Sequence, residues 1–220
     1  MGAHEDQPLL VQGPEMRDAQ GLLILLHGRG STARDIMTLA AQFRHEGLAF
    51  AAPQADGNSW FPYSFLVSTK QNQPGIPSAM TVIRSLVTEA DLLGVPRAKI
   101  MILGFSQGAC LALEFAARNP VRYGAIFALS GGLIGPPGTT WESEHSLDGT
   151  PVFIGCSDVD PHIPRSRLEE SGEVLTRLGA AVTLKLYPGM GHTISGAELE
   201  QVNGMVASVM AAPEDLEAAD

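Results

Sequence analysis

Cysteine is nearly missing from this chain, with two in 220 residues. Cys110 and Cys156 make no disulfide framework. Cys110 falls in an apolar stretch and reads as a small core residue. Cys156 ends a strand-like run, and no redox role is expected of it. So few thiols point to a reducing, cytoplasmic setting. Also missing is any apolar run near the ~20 residues that a membrane-crossing helix needs. Met1 to Gln7 is polar and acidic, without the basic-then-apolar order of a signal peptide, and none is expected. Gly2 follows Met1, but Asp6 stands where a myristoylation signal has Ser or Thr. Basic residues are scarce: 14 against 24 acidic ones give a net charge of -10. That balance argues against nucleic acid or a stable membrane association as partner. There is no internal repeat, no phosphate loop and no dinucleotide fingerprint, because Gly28-Arg29-Gly30 continues as Ser31-Thr32-Ala33 without a third glycine.

What is plentiful is apolar surface, at 45% of residues. That suits one domain over 1–220, with 1–20 as an N-terminal arm or short strand and 213–220 as an acidic tail. Short continuous apolar runs alternate with helical patterns. Gly21–Leu26, Leu48–Ala52, Lys99–Leu103, Tyr123–Ser130, Pro151–Gly155 and Val182–Tyr187 read as strands buried on both faces. Ser31–Arg44, Ser78–Leu93, Ala109–Arg118, Arg165–Leu178 and Ala197–Met210 read as helices, the second capped by Ser78 after Pro77. Asp56–Pro77 and Gly131–Thr150 are long loops. Strands alternating with helices predict an α/β fold with a mostly parallel central sheet and helices on both faces. Ligands of such sheets bind beyond the carboxyl ends of the strands.

The residues that carry chemistry fall at those ends. Gly104-Phe105-Ser106-Gln107-Gly108 sits between a strand and a helix, the context of a nucleophile elbow. Flanking glycines let neighbouring chain pass close to the serine. A serine hydroxyl needs a base, and the base needs a carboxylate to orient it. In α/β-hydrolases the chain order is Ser, acid, His. Here Ser106 is followed by Asp158 and Asp160, and then by His192 in the turn Pro188-Gly189-Met190-Gly191-His192. His4 and His45 precede the serine, His145 precedes the acid, and His162 adjoins it. Oxyanion donors are expected from the backbone N–H groups of Gln107 and Arg29. His27 reads as a scaffold residue. The Arg29 side chain reads as a solvent-facing charge or a grip on an acidic substrate group. Asp158, Asp160 and His162 match no zinc or calcium spacing, so no metal is expected. Trp60, Phe61, Tyr63 and Phe65 crowd one loop, which is either core or an acyl or aryl pocket; Trp60, Phe61 and Phe65 are the candidate substrate contacts.

At these residues the chain resembles the phospholipase/carboxylesterase family of small serine hydrolases, which includes acyl-protein thioesterases. The likeness rests on Leu26-His27-Gly28-Arg29-Gly30, Gly104-Phe105-Ser106-Gln107-Gly108, Asp160-Pro161-His162-Ile163-Pro164 and Gly191-His192, and spans about residues 21 to 210. It implies the α/β-hydrolase fold without a large lid. It implies a triad of Ser106, Asp160 and His192, an oxyanion hole of the Arg29 and Gln107 amides, and hydrolysis of carboxylic esters without a cofactor. The acid segment departs from the family spacing. Asp158 keeps the family's distance from Gly155, whereas Asp160 keeps its distance to Pro164. Pro161 and Pro164 stiffen the turn that aims Asp160, which favours Asp160 and leaves Asp158 to cap local N–H groups. The expected substrate is a small or medium ester; a homodimer stays open. The alternatives are an acyl-protein or acyl-CoA thioesterase and a non-catalytic ligand-binding protein on a hydrolase scaffold.

Overall fold

The computed structural model describes residues 2–43 and 45–213. Among these residues seven strands form one sheet: β1 (Leu9–Gln12), β2 (Gly21–Leu26), β3 (Leu48–Pro53), β4 (Ile100–Phe105), β5 (Ala125–Leu129), β6 (Pro151–Ser157) and β7 (Ala181–Tyr187). Their order is β1-β3-β2-β4-β5-β6-β7. β1 pairs antiparallel with β3, and every other pairing is parallel. The N-terminal arm thus contributes an edge strand.

The apolar runs are continuous because both faces are covered. Successive side chains of β2 alternate between two cores. Leu22, Ile24 and Leu26 face α2 (Gly75–Leu92), α3 (Gln107–Arg118) and α4 (Arg165–Arg177). Leu23 and Leu25 face α1 (Ala33–Met37) and α5 (Gly196–Ala211). Fully burying one such leucine stabilises the fold by roughly 1.5–3 kcal/mol. No helix among the described residues is long and apolar enough to cross a membrane.

Several boundaries differ from the expectations. α2 begins at Gly75 rather than Ser78. Prolines 74 and 77 fit there because a first helical turn has no intrahelical use for their missing N–H groups. Ser78 is therefore no cap; its buried Oγ accepts the His4 N–H at 2.9 Å. The Ser31–Arg44 helix is two pieces, α1 and a 3-10 turn over Thr38–Gln42, and Arg44 lies outside the described residues. Lys99 precedes its strand. Its buried ammonium instead donates to the Val209, Met210 and Ala212 carbonyls, closing the C-terminus of α5 where a cation complements the helix dipole. β6 runs two residues past Gly155, to Ser157. The acidic tail expected from 213 lies outside the described residues beyond Pro213.

Candidate active site

Ser106 stands between β4 and α3 with φ 53°, a left-handed conformation that a non-glycine residue rarely adopts. Such strain costs on the order of 1–3 kcal/mol and persists only where the surroundings fix it. Here the Ser106 N–H donates to Leu129 O at 2.9 Å, and its carbonyl accepts the Cys110 N–H at 3.0 Å. Both flanking glycines are required by close approach. A Cβ on Gly104 would lie 2.1 Å from Gly108 O, and one on Gly108 would lie 2.1 Å from Leu26 O. The hydroxyl is thereby held at the N-terminal end of α3.

His192 reaches it from the loop after β7. Its Nε2 lies 2.8 Å from Ser106 Oγ, and its Nδ1 lies 2.7 Å from Asp160 Oδ2. With Nδ1 protonated toward the carboxylate, Nε2 is free to accept the serine proton. The Asp160 side chain is fully buried. Burial alone would raise its pKa. The His192 hydrogen bond and the N–H groups of His162 and Ile163, at 2.8 and 3.1 Å from Oδ1, outweigh that and hold it below the ordinary carboxylate value. The buried Cys156 thiol, whose pKa is pushed up to about 12 chiefly by burial, stays neutral and donates to Oδ2 at 3.5 Å.

Asp158 points elsewhere. Its Oδ1 accepts the Gly189 N–H at 2.8 Å, and Ser157 Oγ accepts the Gly191 N–H at 3.0 Å. It caps the turn that carries His192 rather than its own turn. Gly189 and Gly191 have φ of 63° and 74°, which gives their presence in that turn a reason. The rings of His162 and Phe105 flank His192, with centroids 4.7 and 5.1 Å away. His27 is buried, and burial lowers its pKa. Its Nδ1 bonds Gly28 O at 2.8 Å and its Nε2 accepts the Ala55 N–H at 3.1 Å, so it braces two loops.

A cavity of about 450 Å³ opens on Ser106 and His192. Phe61, Phe65 and Ile163 give it apolar walls, and Cys110, four residues along α3, also lines it. Burial pushes the Cys110 thiol up to about 12, so it is an inert surface there. Trp60, expected at this pocket, is not in its lining. It is fully buried, and its indole N–H donates to His27 O at 2.9 Å. A buried indole needs an acceptor, and that one lies under the loop.

Two side-chain roles were invisible in the sequence. The exposed Arg29 side chain lines the cavity, and its guanidinium donates to Pro62 O and Tyr63 O, each at 2.8 Å. The Gln107 amide bonds the Trp60 N–H and Phe61 O at 2.8 and 2.7 Å. Only the position of these residues, beside the first loop and the elbow, marked them in the sequence.

Sheet, elbow and cavity together define a serine hydrolase of the α/β-hydrolase fold. The phospholipase/carboxylesterase family profile matches residues 10–210, and the chain belongs to that family of ester hydrolases. It is similar to a solved phospholipase/carboxylesterase from Dyadobacter fermentans: 42% identity, TM-score 0.89, covering 94% of this chain and 99% of that one. It is 27% identical to esterase PE8, TM-score 0.72, over 92% of this chain and 98% of that one. Acyl-protein thioesterase 1 of Saccharomyces cerevisiae is 28% identical over 219 residues, 87% of this chain and 94% of the yeast protein.

Proposed function

We propose that this enzyme cleaves small or medium carboxylic esters through an acyl-enzyme on Ser106. The observation that carries the reading is the run of two short hydrogen bonds, 2.8 and 2.7 Å, from a strained serine through His192 to a buried Asp160. His192 Nε2 takes the hydroxyl proton as Oγ attacks the ester carbonyl. Asp160 stabilises the imidazolium so formed. The tetrahedral oxyanion is met by the N–H of Gln107, the first residue of α3 and so without an intrahelical partner, and by that of Arg29. His192 then gives its proton to the leaving alkoxide. Water, deprotonated by the same nitrogen, attacks the acyl-serine, and collapse of the second intermediate releases the acid.

Phe61 and Phe65 receive the acyl or aryl group, and a cavity of about 450 Å³ suits a small or medium one. The similarity to acyl-protein thioesterase 1 supports a second reading, thioester cleavage by the same groups with a thiolate leaving. We place the enzyme in the cytoplasm, without a nucleic-acid, stable membrane or cofactor partner; the net charge of -10 and two free buried thiols support that.

A fluorophosphonate probe and a panel of p-nitrophenyl esters beside an acyl-CoA make the test. Labelling at Ser106 with ester turnover is expected. Turnover of the acyl-CoA alone would favour the thioesterase. No labelling would favour a non-catalytic binding protein.

A further inference from the structure

Residues 59–64 read as loop, yet side chains from elsewhere hold their backbone polar groups almost one by one. Gln107 Oε1 accepts the Trp60 N–H at 2.8 Å, and Gln107 Nε2 donates to Phe61 O at 2.7 Å. His4 Nε2 lies 2.9 Å from Trp60 O. Arg29 Nη1 donates to Pro62 O at 2.8 Å and to Ser59 Oγ at 3.3 Å, while Nη2 donates to Tyr63 O at 2.8 Å. Buried Asn72 accepts the Tyr63 N–H at 2.9 Å and donates to Ser64 O at 3.0 Å. Gly30 N–H adds a main-chain bond to Asn58 O at 2.7 Å. A loop held this completely is part of the rigid scaffold.

The holders matter as much as the bonds. Arg29 and Gln107 are the residues whose main-chain N–H groups are assigned to the oxyanion, and their side chains grip the segment that ends in the pocket wall. Gln107 is buried and fixed by α3, whereas Arg29 is exposed and lies in a glycine-flanked loop. Beside the Gly30 N–H bond to Asn58 O and the Trp60 indole bond to His27 O, the guanidinium ties Arg29 itself directly to the wall carbonyls. Its planar fork spans two successive carbonyls, which a lysine ammonium cannot copy. It also lies over the Phe61 ring, 5.9 Å from the centroid.

We infer that the Arg29 side chain is a positioning residue that sets the oxyanion hole and the aromatic pocket wall as one piece, so that it governs both turnover and acyl-group preference. The inference rests on the acyl-enzyme reading above. A group shifted by about 1 Å in such a site can cost about 100-fold in rate. Loss of the fork therefore lowers kcat more than it raises KM, because the oxyanion forms after substrate binds.

The experiment measures kcat and KM of the full chain, its Arg29→Ala and its Arg29→Lys on p-nitrophenyl esters of rising acyl length, with and without millimolar guanidinium. Both variants should lose about 10- to 100-fold in kcat with KM for the acetyl ester changed less than about threefold. The ratio of kcat/KM between long and short acyl chains should shift, and guanidinium should restore part of the kcat of Arg29→Ala alone. Turnover and acyl preference within about twofold of wild type in either variant would overturn the inference. Should Arg29→Ala not fold, Arg29→Lys decides by the same criteria. Fluorophosphonate labelling of Ser106 in the wild type is read separately. If it is absent, the underlying reading falls and Arg29's role with it; if present, the variants judge Arg29 alone.

Discussion

Asp160 and His192 meet at 2.7 Å across 32 residues of chain, Oδ2 against Nδ1. Asp158, two residues earlier, spends its carboxylate on the Gly189 N–H instead. One acid thus faces the imidazole and the other fastens the turn that presents it. Exchanging a triad Asp for Asn costs about 10⁴ in kcat. Asp160→Asn should show that loss on a p-nitrophenyl ester, with a lower thermal midpoint as well, because the carboxylate it replaces is buried and its pKa is held down by hydrogen bonds. Asp158→Asn should lower the midpoint and cost activity only several-fold. The opposite pattern would move the triad role to Asp158.

Ser106→Ala should keep the fold and lose about 10⁴-fold or more in kcat, as removal of a triad member does. A variant retaining a tenth of wild-type turnover would end the assignment. The φ of 53° adds a second readout. Glycine takes that conformation without a Cβ penalty, so Ser106→Gly should melt above Ser106→Ala. Equal midpoints in calorimetry would mean that the elbow is not strained.

Chain order and spacing carried much of this site. The strand before Ser106, the glycines around it and the sequence Ser-Asp-His were readable because each is dictated by local backbone geometry. Between the two aspartates, Pro161 and Pro164 favoured Asp160, while the family spacing alone did not decide, because which one turns toward His192 depends on where β6 ends, and it ends two residues later than its apolar run suggested. The start of α2 was misplaced because Ser78 looks like a cap, and only the packing of His4 shows what its hydroxyl does. The grips of Arg29 and Gln107 on residues 59–63 are long-range contacts with no periodic trace. Trp60 and Phe65 look alike as aromatic residues of one loop, and both are buried; only the cavity, which Phe65 lines and Trp60 does not, tells them apart.

That difference makes a paired prediction. Trp60→Ala removes a fully buried ring and the partner of His27 O, and should cost about 3–5 kcal/mol of stability. Phe65→Ala opens the cavity wall and should shift acyl-length preference in kcat/KM. A Trp60→Ala protein of near wild-type stability, measured by denaturant unfolding, would contradict the anchor. Unchanged relative kcat/KM for Phe65→Ala would return that ring to the core.

Glu198 supplies a pH test below the catalytic turn. Ser195, three residues after His192, caps α5 in a capping box, in which Glu198 Oε2 accepts the Ser195 N–H and hydroxyl at 2.8 and 3.0 Å. The carboxyl is fully buried and Oε1 has no partner among the described residues. Gly155 makes room for it, since a Cβ there would lie 2.6 Å from Oε1. Tyr187 and Cys156 are the titratable neighbours, and neither supplies a positive charge. Burial therefore raises the Glu198 pKa, against the pull of its Ser195 bonds. The folded protein holds this proton more tightly than the unfolded chain does. Its contribution to stability is then full below the unfolded value, near 4.5, and is lost as pH rises through the folded value. Glu198→Gln keeps the shape and one acceptor but cannot ionise. Whatever fixed offset the amide brings, the midpoint of Glu198→Gln minus that of wild type should grow as pH is raised from about 4.5 to 8. A difference that stays flat across calorimetric scans in that range would mean that Glu198 ionises as easily folded as unfolded, and that water reaches Oε1.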